Sequence, residues 1–215
     1  MTAVVESPAH ELSKLMRAGS RAEHTAAESS DFIERMLDGR AEPEEYATYV
    51  RRLAVVYDAL ESVGRQYADD PLVGAVFDPL LERRDALCED LDYWAGGGWR
   101  DTPIDSPATE AYVARIHDAA AEWGGLYVAH HYTRYLGDLS GGQAIGKVLT
   151  RTYDLPKGAG VAFYDFAGIP KTKPYKDAYR ARLDALDIDA VEKQRIVSEV
   201  KLAFRLNESL FAELA

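Results

Sequence analysis

The chain has one cysteine, Cys88, in 215 residues, so it cannot form an internal disulfide and has no Cys-x-x-Cys pair for redox chemistry or zinc. That fits a reducing compartment, and a cytoplasmic location is expected. No stretch approaches the roughly 18 consecutive apolar residues that a membrane-spanning helix needs. No early apolar run resembles a signal peptide, and Leu210 to Ala215 form no hydrophobic tail, so no membrane anchor is expected. Basic charge is also short. Lys and Arg total 25 against 36 Asp and Glu, a formal net charge of −11, which argues against a general nucleic-acid surface while allowing local basic patches. His-Glu-x-x-His and Glu-x-x-His are absent, which removes the helical zinc protease and the paired-carboxylate di-iron bundle. Gly141 to Lys147 misses the spacing of a phosphate-binding loop. Strand-like alternation of useful length is missing as well.

The composition, 47% hydrophobic and 28% charged, is that of a globular protein of one domain, here residues 1–215, with a monomer as the default. Apolar periodicity predicts an all-α fold with helices at about 8–29, 31–38, 43–67, 71–94, 107–122, 125–151, 174–185 and 189–213. Pro43 suits a first turn, Gly39 the end of the preceding helix, and Asp189 an N-cap. Residues 152–173 are irregular and carry Phe163, Tyr164 and Phe166. A loop of that size in a compact helical domain often lies over something, and its aromatics are expected to pack onto the body.

Two patterns carry chemistry. The first is Tyr132-Thr133-Arg134-Tyr135-Leu136-Gly137-Asp138-Leu139-Ser140-Gly141-Gly142-Gln143, set inside an otherwise helical stretch. Each interior glycine costs about 1 kcal/mol of helix stability relative to alanine. Three of them fit either close helix packing or a place where the backbone bends and something approaches it. Gly137 and Gly141 are one turn apart on one face, and Asp138 and Ser140 lie beside that strip, where they could hold water near a bound group.

The second pattern is Lys14, Arg17, Arg21, His24 and Glu28, whose spacing of 3, 4, 3 and 4 makes one helical stripe. Leu12, Leu15, Met16, Ala22 and Ala26 fall on the other side as the expected packing face. The stripe is either a solvated face with paired charges or a ligand surface. As a ligand surface it suits a large flat anion bound through a metal. His24 offers a ring nitrogen, Glu28 can accept the other ring N–H, and Arg21 and Arg17 stand about 4.5 and 10.5 Å away along the axis to meet peripheral carboxylates. Haem has both features. The other histidines offer less: His130 and His131 point about 100° apart on a helix, and His10 and His117 have no evident partners. Cys88 reads as a packing residue.

The run at 132–143, with Glu-His-Thr-Ala-Ala-Glu at 23–28, Tyr57, Tyr175 to Arg180 and Ala203 to Asn207, resembles the haem oxygenases over nearly the whole chain. That resemblance implies haem sandwiched between the first helix and a kinked helix around Gly137 to Gly142. It implies His24 as the iron ligand, with Glu28 as its partner. It implies a distal wall of Gly137, Ser140, Gly141 and Gly142, and a polar network of Asp138, Tyr57, Arg134 and Asn207 organising water there. Arg17, Arg21, Tyr132, Lys176 and Arg180 take positions associated with the propionates, and Phe204 and Phe211 those of apolar pocket walls. Two departures stand out: Pro174 precedes Tyr175-Lys176 where a helix-compatible residue is commoner, and Arg17 and Arg21 stand where lysine is frequent.

The implied reaction is oxidative cleavage of haem to biliverdin, expected as the IXα isomer, with carbon monoxide and ferrous iron. Haem is cofactor and substrate, dioxygen is the co-substrate, and electrons come from a separate reductase or ferredoxin. A non-catalytic haem carrier or sensor could share His24 and the basic stripe, but it would leave the glycine run and Asp138 unexplained.

Overall fold

The computed structural model describes residues 11–214, so His10 and the expected start of the first helix at residue 8 lie outside the described residues. Where one first helix was expected there are two, α1 (Leu12–Gly19) and α2 (Arg21–Glu28). The Ser20 hydroxyl bonds back to the Met16 carbonyl at 2.8 Å, a contact that bends helices. A Cβ on Gly19 would come within 2.5 Å of Val197, so the bend presses the backbone onto a later helix. This corrects the expected packing face of α2. Ala22 and Ala26 are exposed, and Ala27 and the partly buried Glu23 turn inward.

The next helices follow expectation. They are α3 (Asp31–Leu37), closed by Gly39 at φ +70°, and α4 (Pro43–Gln66), with Pro43 in its first turn and a capping box between Glu42 and Glu45. The single helix expected over 71–94 is instead α5 (Pro71–Val76), a short 3-10 turn at Pro79–Leu81, and α6 (Arg84–Trp94). Pro79 excludes helical backbone at Asp78, which is extended at φ −152°, ψ 114°. Cys88 on α6 is half-buried, in keeping with packing.

After α7 (Pro107–Glu122) comes the interrupted helix. α8 (Gly124–Gly137) passes into one π turn, Asp138–Gly142, and continues as α9 (Gln143–Thr152). α10 (Thr172–Asp184) accommodates Pro174 in its first turn, where the missing N–H costs no helical bond. α11 (Ala190–Ala212) starts at Asp189, which caps Val191 and Glu192 at 2.8 and 2.9 Å. Among the described residues there is no strand.

The core lies where α11 and α7 pack on α8 and where α4 packs on α6 and α7; α11 also carries α1 and α2. The irregular 152–173 segment is fastened to this body as expected, with Phe163, Tyr164 and Phe166 all buried. Asp90 accepts the N–H groups of Ala162 and Phe163 at 2.7 and 2.8 Å. Arg83 donates to the Asp165 carbonyl at 2.6 Å. The Tyr164 side chain lies 3.0 and 3.1 Å from where Cβ atoms on Gly142 and Gly146 would stand, so the loop covers the back of the glycine helix.

Buried Glu61 on α4 accepts the N–H groups of Arg83 at 2.5 Å and Arg84 at 3.1 Å, tying the start of α6 to α4. Burial, only partly offset by those N–H groups, raises its pKa to about 7. The folded chain therefore holds this proton more tightly than the unfolded chain does. The associated stability is full below the ordinary value near 4.5 and is lost as pH rises through 7. Glu61→Gln keeps the acceptor oxygen without the charge. Denaturant unfolding should find the variant more stable than wild type at pH 8, by about 3 kcal/mol, with the two converging near pH 4.5. Parallel stability curves at both pH values would remove Glu61 from the pH response.

Candidate functional site

The bend at Ser20 leaves the His24 side of α2 facing outward. The His24 side chain is 52% exposed, with Nδ1 at 3.2 Å from a Glu28 carboxylate oxygen one turn on. That contact occupies Nδ1 and leaves Nε2 free as a ligand nitrogen. Phe204 of α11 meets the imidazole edge to face at 5.5 Å between ring centres, setting an apolar wall beside it.

α11 packs on both α2 and α8, and α8 leads into the π turn. A π turn is a rare local widening of a helix, and here it falls on the glycine run. Cβ atoms built on Gly137 and Gly141 would meet nothing within 4 Å, and both residues are exposed. Close helix packing is therefore not their role; they leave a bare backbone surface that a planar ligand could approach. Gly142 differs from them, being buried against Tyr164.

Beneath that strip sits a buried polar cluster. Tyr57 donates its hydroxyl to Asp138, and Arg134 Nε donates to the Tyr57 oxygen at 3.1 Å. Arg134 Nη1 donates to Asn207 of α11 at 2.5 Å, and Nη2 stands 3.9 Å from the other Asp138 oxygen. Burial pushes the Asp138 carboxyl above the usual carboxylate range, against the opposing pull of Arg134 and the Tyr57 hydroxyl. Burial likewise keeps the Tyr57 phenol protonated, with its pKa far above the ordinary value. The four residues expected to form one network are thus in contact.

The rim is cationic. Lys176 of α10 donates to Ser140 at 3.0 Å and lies 3.4 Å from the Leu139 carbonyl, so α10 is latched to the π turn in spite of Pro174. Burial and then Arg180 depress the Lys176 ammonium. Arg180 pairs with Asp177 at 3.1 Å. Burial raises the Tyr132 phenol, and the charges of Arg180 and Arg17 both oppose that rise. Arg17 and Arg21 are exposed. Phe211 lies deeper than expected of a simple pocket wall, stacked on Phe32 at 6.1 Å and near Tyr49 at 5.7 Å.

Tyr112 was not anticipated. Tyr112 is fully buried with no partner for its hydroxyl, and Arg134 and Asp138 both act on it electrostatically. Such an orphaned hydroxyl fits a site that takes up a polar ligand or water. Among the other described histidines, His130 is held by Glu199 at 2.8 Å and His131 by the Tyr179 hydroxyl at 2.8 Å, both buried, while His117 is exposed on α7.

Comparison with known proteins agrees with this geometry. The pattern of the family described as Heme oxygenase matches residues 10–213. The chain is 40% identical over 203 residues to Heme oxygenase 1 of Nostoc sp., an alignment covering 94% of this chain and 85% of that protein. It is 36% identical to Heme oxygenase 1 of Homo sapiens, over 97% of this chain and 73% of the other. The crystal structure of heme oxygenase-2 from Synechocystis sp. in complex with heme and NO superposes with a TM-score of 0.92 at 36% identity, covering 95% of this chain and 85% of that one. Heme oxygenase-1 from the same cyanobacterium, in complex with heme, gives 0.91 at 38% identity, covering 95% and 92%.

Proposed function

The chain belongs to the haem oxygenase family, which degrades haem to biliverdin, carbon monoxide and iron, and from that premise we propose how its own residues divide the work. The observation that carries the reading is the bare surface at Gly137 and Gly141 lying over the buried Asp138, Tyr57 and Arg134 cluster. We take residues 1–215 as one catalytic domain, monomeric and cytoplasmic.

His24 would hold the iron through Nε2, with Glu28 keeping Nδ1 engaged and the ring oriented. Phe204 would flank that ligand and Phe211 support the deeper apolar wall. Gly137 and Gly141 would let the backbone approach the macrocycle, with Gly142 allowing Tyr164 to close the opposite side of the helix. Arg17, Arg21, Tyr132, Lys176 and Arg180 would meet the propionates, and Ser140 would position Lys176. By orienting the ring these groups would select the IXα product.

When bound, haem supplies the iron that activates dioxygen. Asp138 would organise water beside the open strip and pass protons through it, with Tyr57 donating to one of its oxygens and Arg134 standing 3.9 Å from the other. Asn207 would hold Arg134 in that arrangement. The electrons would come from a separate reductase or ferredoxin, which we place at the cationic rim, where opposite charge would aid docking in spite of the acidic whole.

An absorption time course of the hemin-loaded protein in air tests the reading, with a slow electron supply, carbon monoxide collected and pigment extracted. Loss of the Soret band with biliverdin and carbon monoxide is expected. Ferredoxin-driven rates should fall with added salt while chemically driven rates hold. A haem spectrum that survives repeated reduction would replace the enzyme by a carrier or sensor, and salt-independent ferredoxin rates would move the docking face elsewhere.

A further inference from the structure

Lys176, Arg180 and Asp184 follow one another at intervals of four, which sets them in one row along α10. The first two belong to the cationic rim. Asp184 reaches instead to α1, which packs on α10. One of its carboxylate oxygens accepts the Ser13 N–H at 2.8 Å and the other accepts the Ser13 hydroxyl at 2.9 Å.

This pair answers a need of α1. The first amides of a helix have no carbonyl partner within it, and Glu11 at the N-cap makes no side-chain bond to them. Asp184 supplies the acceptor from another helix and places negative charge at the positive end of the helix dipole. Ser13 is buried, so its two polar groups require partners, and Asp184 serves both. A bond at two points fixes the register of the contact as well as its closeness.

α10 is the fixed member of the pair. Its Arg182 Nε donates to the Ala75 carbonyl of α5 at 2.8 Å, and its Tyr175 hydroxyl donates to Asp78 at 2.6 Å. Near its start Lys176 donates to Ser140 in the π turn. Lys176 and Asp184 are eight residues apart, about 12 Å of helix at 1.5 Å per residue. α10 is therefore a strut from the π turn to α1, the helix that leads through the bend at Ser20 to His24. Arg180 stands between its two ties, and Arg17 stands one turn beyond Ser13 on the same face of α1.

We propose that Asp184 and Ser13 are positioning residues of the haem site: their two-point bond sets α1 against α10, and so sets Arg17 relative to Arg180 and Lys176, which determines how the propionates and the ring they carry are seated. This inference rests on the haem-degrading reading and adds to it a pair outside the rim, the glycine motif and the His24 helix.

The test compares wild type, Asp184→Ala, Asp184→Asn and Ser13→Ala, each loaded with hemin. Proton NMR of the ferric cyanide complexes counts the two seatings of the asymmetric ring, and hemin affinity is measured alongside. Asp184→Ala should weaken hemin binding about 3- to 10-fold and change the ratio of seatings at least about threefold, as expected for losing hydrogen bonds to a charged group. Ser13→Ala, which keeps the N–H bond and is the milder change to the fold, should move the ratio in the same direction by less. Asparagine can accept from the Ser13 N–H through its oxygen and donate to the hydroxyl through its amide, so Asp184→Asn should return the ratio to within about twofold of wild type. A wild-type ratio in Asp184→Ala overturns the proposal, because a tie that only stabilises the fold would not reseat the ring. An equal disturbance in Asp184→Asn would assign the effect to charge and overturn it as well. Failure of the wild type itself to bind hemin would instead overturn the haem reading, so the two failures are distinguishable.

Discussion

Replacing His24 by alanine is expected to abolish biliverdin formation and the histidine-ligated haem spectrum, and added imidazole is expected to restore both. His24 alone among the described histidines combines an open ring with an oriented one. Its Nδ1 is engaged by Glu28, its Nε2 is free, and Phe204 walls it on one side. The buried His130 and His131 cannot substitute, because their rings are bonded to Glu199 and Tyr179 within the core. Truncation at a half-exposed position removes the ligand without leaving a buried cavity to collapse, so a free imidazole can enter. Glu28→Gln should be milder, about 10-fold in haem affinity or turnover, because it alters the partner of the ligand and leaves the ligand in place. Resonance Raman of the reduced His24→Ala haem complex gives the decision: persistence of the iron–histidine signal without imidazole would put the ligand elsewhere.

The same geometry shows which parts of the site the sequence could reveal. The stripe from Arg17 to Glu28 was legible because helical period alone sets it, yet the bend at Ser20 was not. A serine hydroxyl returning to Met16, and a glycine pressed on Val197 nearly 180 positions away, leave no mark on that period. The break after α5 could have been read from Pro79, which forbids helix at Asp78. In the glycine run the bare face at Gly137 and Gly141 followed from their spacing, whereas the π turn depends on a shift in backbone pairing that residue types do not specify. Arg134, Asp138 and Tyr57 came from resemblance to a family; their joining to Asn207, 73 residues from Arg134, is a tertiary fact. Tyr112 escaped because a tyrosine on the apolar face of a helix looks like core until its buried hydroxyl is seen to lack a partner.

Asp138 is the site of the second large effect. Its carboxyl touches Tyr57 and lies 3.9 Å from Arg134, and burial holds it toward the protonated form directly beside the open glycine strip. A positioned acid of this kind contributes about 10²- to 10⁴-fold to a rate. Asp138→Ala should therefore bind hemin within a few-fold of wild type, since no ligand or rim cation is altered, while biliverdin formation falls at least about 100-fold. The same change leaves the Tyr57 hydroxyl and the Arg134 guanidinium short of a partner in a buried site, which should cost about 1–3 kcal/mol of stability. Those two losses must be separated, and Asp138→Asn separates them. Asparagine can still accept from Tyr57 but cannot give up a proton, so this variant should regain most of the stability and little of the turnover. The ratio of biliverdin rate to folded fraction is then the quantity to measure. If Asp138→Asn degrades haem as fast as wild type, the carboxyl serves the architecture of the cluster, and the proton must reach the reacting edge by another route through Tyr57 and Arg134.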